Sequence, residues 1–247
     1  MTPLTNEDFA TVQRFVQLMS EKVATLGLDV FVETNFNDYN KLRRALSPDT
    51  VQNPTYDPEH SNISFQNAFW LRAVEKNGDT VAMVAQRVLD TENFLEDVKK
   101  LRLWHDRPEH AKGVIRVEDC EFAAGMSGRI GHAGGLWIDP TYRKKNLSGI
   151  LDHMGRGLLL KNFWFDYITG IISPELAATG IWAKQYGWDK VEGKLSFDFF
   201  HEGGTMVAFG FCHMSRAKSL ERMAQWLLVP EADSVQQLDQ VGKILVD

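Results

Sequence analysis

Apolar residues recur along the first segment at three- and four-residue steps: Phe9, Val12, Phe15, Val16, Met19 and Val23. That spacing gathers them on one face of a helix over Asn6–Leu26, with Thr5 or Asn6 as its cap. "LDVFVET" then reads as a strand, and residues 37–46 as a short helix. Residues 47–64, rich in Pro, Asn and Asp, read as an ordered loop or a mobile flap. "FWLRAVEKNGDTVAMVAQRVL" presents two β-rich runs around Asn77-Gly78-Asp79, which predicts a hairpin. Residues 90–104 are charged and read as helix, followed by the polar "HDRPEH". "VIRVE" suits another strand.

The second half alternates more regularly. Gly-rich "GMSGRIGHAGG" leads into the strand "LWIDP". Leu147, Ile150, Leu151, Met154 and Leu158 then mark one helix face. "FDYITGIIS" suits a strand buried on both faces. Ser173-Pro174 opens a further helix, Ser as cap and Pro at the first helical position, running to about Gly187. "KLSFDFF" and "TMVAFGFCHM" read as strands, and a helical tail starts at Ser215. This order predicts a single α/β (α+β mixed-sheet) domain over 1–247, with a core at about 28–214 and helical extensions at 1–27 and 215–247.

Composition narrows the function classes. The chain has 247 residues, 44% hydrophobic and 24% charged, as in ordinary globular proteins. With 27 Lys+Arg against 33 Asp+Glu, a net charge of −6 argues against a general nucleic-acid or anionic-membrane binder. Any anionic ligand must therefore be met by a local cluster. Cys120 and Cys212 read as reduced, buried small hydrophobes. The N-terminus lacks signal-peptide features, and no uncharged apolar run approaches the roughly 20 residues that span a bilayer. A cytoplasmic protein is expected, and a homodimer is compatible with the sequence.

One local cluster stands out. "DPTYRKKNLSG" places Arg143, Lys144 and Lys145 directly before a helix. A helix start leaves about four N–H groups without intrahelical partners, and these with the dipole form an anion site. Ser148 and Gly149 keep side chains small where a phosphate would approach the backbone. The sequence also allows a plain solvated basic turn.

"LWIDPTYRKKNLSGIL" resembles the signature of the GNAT superfamily of acyl-CoA-dependent N-acyltransferases. There a strand and a Pro turn lead into Arg/Gln-x-x-Gly-x-Gly/Ala and a helix. Arg143 matches the first position, Asn146 the first glycine and Ser148 the second small residue. "WAKQYGWDKVEG" resembles the family's Tyr-x-x-x-Gly-Phe segment, with Gly187-Trp188 in place of Gly-Phe. The element order agrees from about Leu28 to Met214. The resemblance implies transfer of an acetyl group from acetyl-CoA, or of another acyl group, to a primary amine by direct attack, with a small molecule or a peptide as acceptor. It implies that Arg143, Lys144, Lys145, Asn146, Leu147 and Ser148 wrap the CoA pyrophosphate, and that the main chain of Leu136, Trp137 and Ile138 lines the acyl-pantetheine. No metal is expected.

The departures bear on catalysis. Ala183 stands where the family often has a tyrosine that reprotonates the thiolate, which leaves Tyr186 or Ser173 as donors. His132, just before "AGGLWID", is a candidate base, or a strand histidine bonded to backbone. Gly134-Gly135 inside a strand pattern suggests a bulge. Gly155 and Gly157 would let the following helix approach the sheet. A GNAT-like protein that binds an acyl-CoA or a partner without turnover is the alternative reading. Glu118, Asp119 and Glu121 read as a solvated edge. Other chemistries find little support: "GRGLLL" lies inside a helix, no Gly-x-Ser-x-Gly elbow or P-loop occurs, and His105 and His110 fit no ligand spacing.

Overall fold

The computed structural model describes residues 4–48, 52–106, 115–198 and 206–228. Helix α1 (Asn6–Ala24) is closed at its start by a capping box between Thr5 and Asp8. Its Val12, Phe15, Met19 and Val23 are fully buried, each contributing about 1.5–3 kcal/mol of burial. Phe9, on the predicted apolar face, is instead 42% exposed, with Lys161 Nζ 6.0 Å from its ring centroid. Strand β1 (Asp29–Glu33) and α2 (Phe36–Leu46) follow, and Asn35 caps α2 through its side chain.

Strands β2 (Ala68–Val74) and β3 (Thr80–Thr91) form the expected hairpin, with Gly78 at φ 93° in its turn. The helix expected over 90–104 shrinks to α3 (Phe94–Lys99). β3 claims the first residues, Asn93 caps at the Glu96 N–H, and Leu101 at φ 63° ends the run. Strand β4 (Ile115–Glu118) forms one edge of the sheet, with Glu118, Asp119 and Glu121 exposed on it. The Gly-rich segment joins the strand it precedes, giving β5 (Gly128–Ile138).

Helix α4 (Leu147–Phe163) and β6 (Tyr167–Ile172) match the sequence pattern. The helix expected over 173–187 is broken into α5 (Pro174–Ala178) and α6 (Ile181–Lys184) by Gly180 at φ 68°. Strands β7 (Lys190–Phe197) and β8 (Val207–Ser215) lead to α7 (Arg216–Leu227), capped by Ser215.

The result is an α/β architecture around one mixed sheet of eight strands, in the order β1-β2-β3-β5-β6-β8-β7-β4. Its one parallel pair among the described residues is β5–β6, at the sheet's centre. On one face α1, α4 and α7 share the largest apolar cluster with Leu71, Val84 and Ile168 of the strands. On the other, α2 and Tyr56 cover Trp70, Met83 and Ala85, while α3 and Trp104 cover Ile130, Phe197 and Phe211. Gly155 sits against the sheet as expected, since a Cβ there would lie 2.5 Å from Gln86 Nε2. Gly157 faces α1 instead, where a Cβ would lie 2.7 Å from Val16. Both cysteines are free and buried. Among the described residues no helix is long and apolar enough to cross a membrane.

Candidate active site

The site begins where the parallel pair parts. β5 and β6 are paired from Ile130↔Tyr167 to Ala133↔Gly170, and there the ladder between them stops. β5 nevertheless runs on to Ile138 and β6 to Ile172. A cleft therefore opens at the carboxyl ends of the two strands, the usual place for a ligand beside a parallel pair. Gly170, at the last paired position of β6, packs closely against Trp188: a Cβ there would lie 3.1 Å from its ring.

A bulge re-aims β5 at the same point. Ala85 pairs with Gly134 but Met83 pairs with Trp137, so Gly135 and Leu136 together oppose the single residue Val84. Gly135 takes φ 60°, the left-handed conformation that a glycine adopts without strain. The bulge reverses the facing of the residues beyond it. His132 lies beside Arg87, whereas Leu136 and Ile138 pack into the α1–α4 cluster and Trp137 into the α2 cluster. His132 and Leu136 thus point to opposite faces.

Two tyrosines that the sequence pattern did not single out hold this bulge. The Tyr39 hydroxyl donates to the Gly135 carbonyl at 3.0 Å, and the Tyr56 hydroxyl donates to the His132 carbonyl at 3.0 Å. Both phenols are buried. Burial pushes the Tyr39 pKa up to about 12 and that of Tyr56 well above the usual range, so both stay protonated donors. Asn53 caps a short 3₁₀ turn, Pro54–Tyr56, that carries the Tyr56 ring into the interior, a placement that the polar stretch "NPTYDPEH" does not signal.

Beyond Ile138 the chain makes the basic turn. A 3₁₀ turn over Pro140–Tyr142 is fixed by Asp139, which accepts from the Thr141 N–H at 2.8 Å. Lys144 and Asn146 then take φ 64° and 58°. Asn tolerates that region better than most residues; Lys144 is there because the turn demands it. In this conformation Asn146 makes no capping bond to α4. The first ladder bond runs from the Ile150 N–H to the Asn146 carbonyl at 3.1 Å, leaving the N–H groups of Leu147, Ser148 and Gly149 outside the ladder. The Asn146 Oδ1 is buried without a partner. Arg143, Lys144 and Lys145 are exposed, and none forms an ion pair among the described residues. Lys145 Nζ lies 4.2 Å over the Tyr142 ring. Uncapped N–H groups beside unpaired cations suit a phosphorylated ligand.

The proposed donors and base differ in setting. Tyr186 and Ser148 come together: the Ser148 hydroxyl accepts from Gln185 Nε2 at 2.7 Å and also bonds the Tyr186 phenol. Burial raises the Tyr186 pKa, the Ser148 hydrogen bond opposes it, and Asp152 adds to the rise, so the phenol carries its proton near neutrality. Ala183, on α6, has no proton to give. Ser173 directly follows β6 and serves as the cap of α5, accepting from the Leu176 N–H at 3.4 Å. The Glu175 carboxyl is held below its usual range first by its own backbone N–H and then by the Ser173 hydroxyl. His132 is 1% exposed, lies in the paired part of β5, and shares a 3.0 Å hydrogen bond with Thr169. Burial, helped by Arg87, pushes its pKa down to about 3. His110 lies outside the described residues.

No protein-family model matches the chain, and no curated protein matches it in sequence. Many solved structures are similar to this one in fold, and three serve as examples. They are NAA60 of Arabidopsis thaliana in complex with acetyl-CoA (10% identity over 76% of this chain and 99% of that one, TM-score 0.48); an agmatine N-acetyltransferase variant without ligand (14%, 76% and 100%, TM-score 0.49); and an acetyltransferase of the GNAT family from Streptococcus pneumoniae (10%, 76% and 99%, TM-score 0.40).

Proposed function

We propose that this protein is an acyl-CoA-dependent N-acyltransferase that moves an acetyl group from acetyl-CoA to a primary amine. One observation carries the reading. The strand that leaves the parallel pair at Ala133 runs, through a bulge, straight into the uncapped start of α4 and its three unpaired cations. Such a path suits a long ligand with an anionic head and a neutral arm, and the GNAT resemblance of "IDPTYRKKNLSG" falls on the same residues. On this reading Arg143, Lys144 and Lys145 meet the phosphates, while the free N–H groups of Leu147, Ser148 and Gly149 cradle the pyrophosphate. The main chain of Leu136, Trp137 and Ile138 lines the arm.

The chemistry then divides among few groups. The acceptor nitrogen attacks the thioester carbon, forming the C–N bond. Main-chain N–H groups after the bulge stabilise the negative charge on the carbonyl oxygen, a term often dominant in acyl transfer. The C–S bond breaks, and the Tyr186 phenol supplies a proton to the departing thiolate. The amine's own proton leaves to water, because an imidazole with a pKa of about 3, as at His132, is a weak base near neutrality. Titration calorimetry with acetyl-CoA and longer acyl-CoAs tests the reading; absence of binding at millimolar ligand removes it.

A second reading is a protein of this shape that binds an acyl-CoA without turnover. Ala183 at the tyrosine position, the buried His132 and the capping duty of Ser173 favour it. Assay of free CoA released in the presence of amines, amino acids and peptides separates the two. Tight CoA binding with no acceptor-dependent release supports the second.

A further inference from the structure

Helix α2 carries a polar stripe beside its buried face. Asn37, Asn40, Lys41 and Arg44 recur at steps of three, one and three, which places them on adjacent positions of one side. Across from them the chain after the Pro54–Tyr56 turn brings Asp57 and Glu59. These six residues line a half-open pocket of about 380 Å³, within the range typical of small-molecule sites, roughly 300–1,000 Å³.

Its charges are arranged in an unusual way. Two cations and two carboxylates share one pocket, yet none of the four forms an ion pair among the described residues. The cations sit on the helix wall and the carboxylates on the loop wall. Asn40 lies beside them. It is 5% exposed, lines the same pocket, and its Oδ1 is buried without a hydrogen-bond partner. A buried acceptor in that state is costly unless a donor reaches it. Asp57, also 5% exposed, spends one carboxylate oxygen on the Glu59 N–H at 3.0 Å, which fixes its position on the loop wall.

We infer that this pocket binds a compact zwitterion, of the size of a free amino acid or a dipeptide. Its ammonium group faces Asp57 and Glu59, and its carboxylate faces Lys41 and Arg44. Each charged end then finds the opposite charge. Asn40 and Asp57 directly follow Tyr39 and Tyr56, the two residues whose hydroxyls hold the β5 bulge. A ligand here lies against the same elements that shape the cleft. The site stands on its own residues and does not require the acyl-transfer reading.

The test is titration of the full chain with L-alanine, L-leucine and glycylglycine, with ethylamine as a cation-only control and propionate as an anion-only control. At least one zwitterion should bind in the submillimolar range, with both controls weaker by about 10-fold or more, since each lacks one charge-assisted contact. Lys41→Ala with Arg44→Ala should weaken the zwitterion by about 10-fold and leave ethylamine unchanged. Asp57→Asn should weaken the zwitterion and leave propionate unchanged. Circular dichroism checks that both variants fold, and their affinity for coenzyme A should equal that of the parent. No zwitterion binding at millimolar concentration overturns the proposal, as does equal binding in the Lys41/Arg44 variant. Because coenzyme A is titrated separately, either result leaves the acyl-transfer reading standing or falling on its own data.

Discussion

The Tyr39 hydroxyl donates a 3.0 Å hydrogen bond to the Gly135 carbonyl, joining α2 to the bulge of a strand 96 positions further on. Tyr56 does the same for the His132 carbonyl, three residues before the Gly135 contact. Two anchors on the strand as it enters the bulge fix the direction of the N–H groups beyond it. Tyr39→Phe and Tyr56→Phe should each cost about 0.5–1.5 kcal/mol in urea unfolding, the usual value of one such bond. Acyl transfer should fall by about 10- to 100-fold in the double variant, because small misplacements of reacting groups are expensive. CoA affinity should change little. Unimpaired turnover in the double variant would mean that the tyrosines serve stability alone.

The basic turn gives a second prediction. Arg143→Ala with Lys145→Ala should weaken CoA binding by about 10-fold or more, and the remaining affinity should depend less on salt. The loss in folding stability should stay within about 0.5–1 kcal/mol, mostly from the Lys145–Tyr142 contact. Calorimetry at two salt concentrations, paired with thermal melts, reads both effects. Equal CoA affinity would return the turn to an ordinary solvated loop.

Tyr186 separates proton donation from packing. In Tyr186→Phe the backbone carbonyl that accepts from Arg156 is kept, and only the phenolic proton is lost. If that proton goes to the thiolate, kcat should drop by about 100-fold or more while KM for acetyl-CoA stays near the parent value. Ser148→Ala should disturb the phenol's position and the helix start together, changing both constants. Retained kcat in Tyr186→Phe assigns thiolate protonation to water.

His132 and His153 predict a pH dependence of stability. Burial is the main cause in each: it lowers His132 to about 3 and His153 well below the usual value, with Arg87 and Arg156 respectively adding to the effect. The unfolded chain takes up a proton near 6.5 that the folded chain refuses. Stability is therefore full above about pH 6.5 and is lost as pH falls, down to about 3 for the His132 contribution, by up to about 1.4 kcal/mol per pH unit for each histidine. Asp152, whose pKa burial raises, works in the opposite sense at the lower end. Urea melts from pH 7 to 5 should show this slope, and His132→Gln should reduce it. The pH profile of turnover should be the same in His132→Gln as in the parent. Loss of an ionisation from that profile would instead make His132 the base.

Much of the fold was legible because the signals are local. Helical spacing marked α1 and α4, Asn77-Gly78 marked the hairpin, and Ser173-Pro174 marked a helix start. The basic turn was legible for the same reason, since Arg143 to Ser148 are contiguous in the chain. Even the bulge was visible, as two glycines inside a strand pattern. Its consequence was not. Whether His132 faces with Leu136 or against it depends on pairing with β3, which is a contact between distant segments. Likewise, nothing near Tyr39 or Tyr56 in the chain says that their hydroxyls reach β5, and nothing near Gly157 says that it meets α1 rather than the sheet. The pKa of His132 is set by desolvation and by Arg87, neither of which exists until the sheet has assembled. Local periodicity and turn chemistry act over a few residues and can be read along the chain. Burial, facing and partner choice arise from elements that meet only on folding, so the tertiary structure alone decided them.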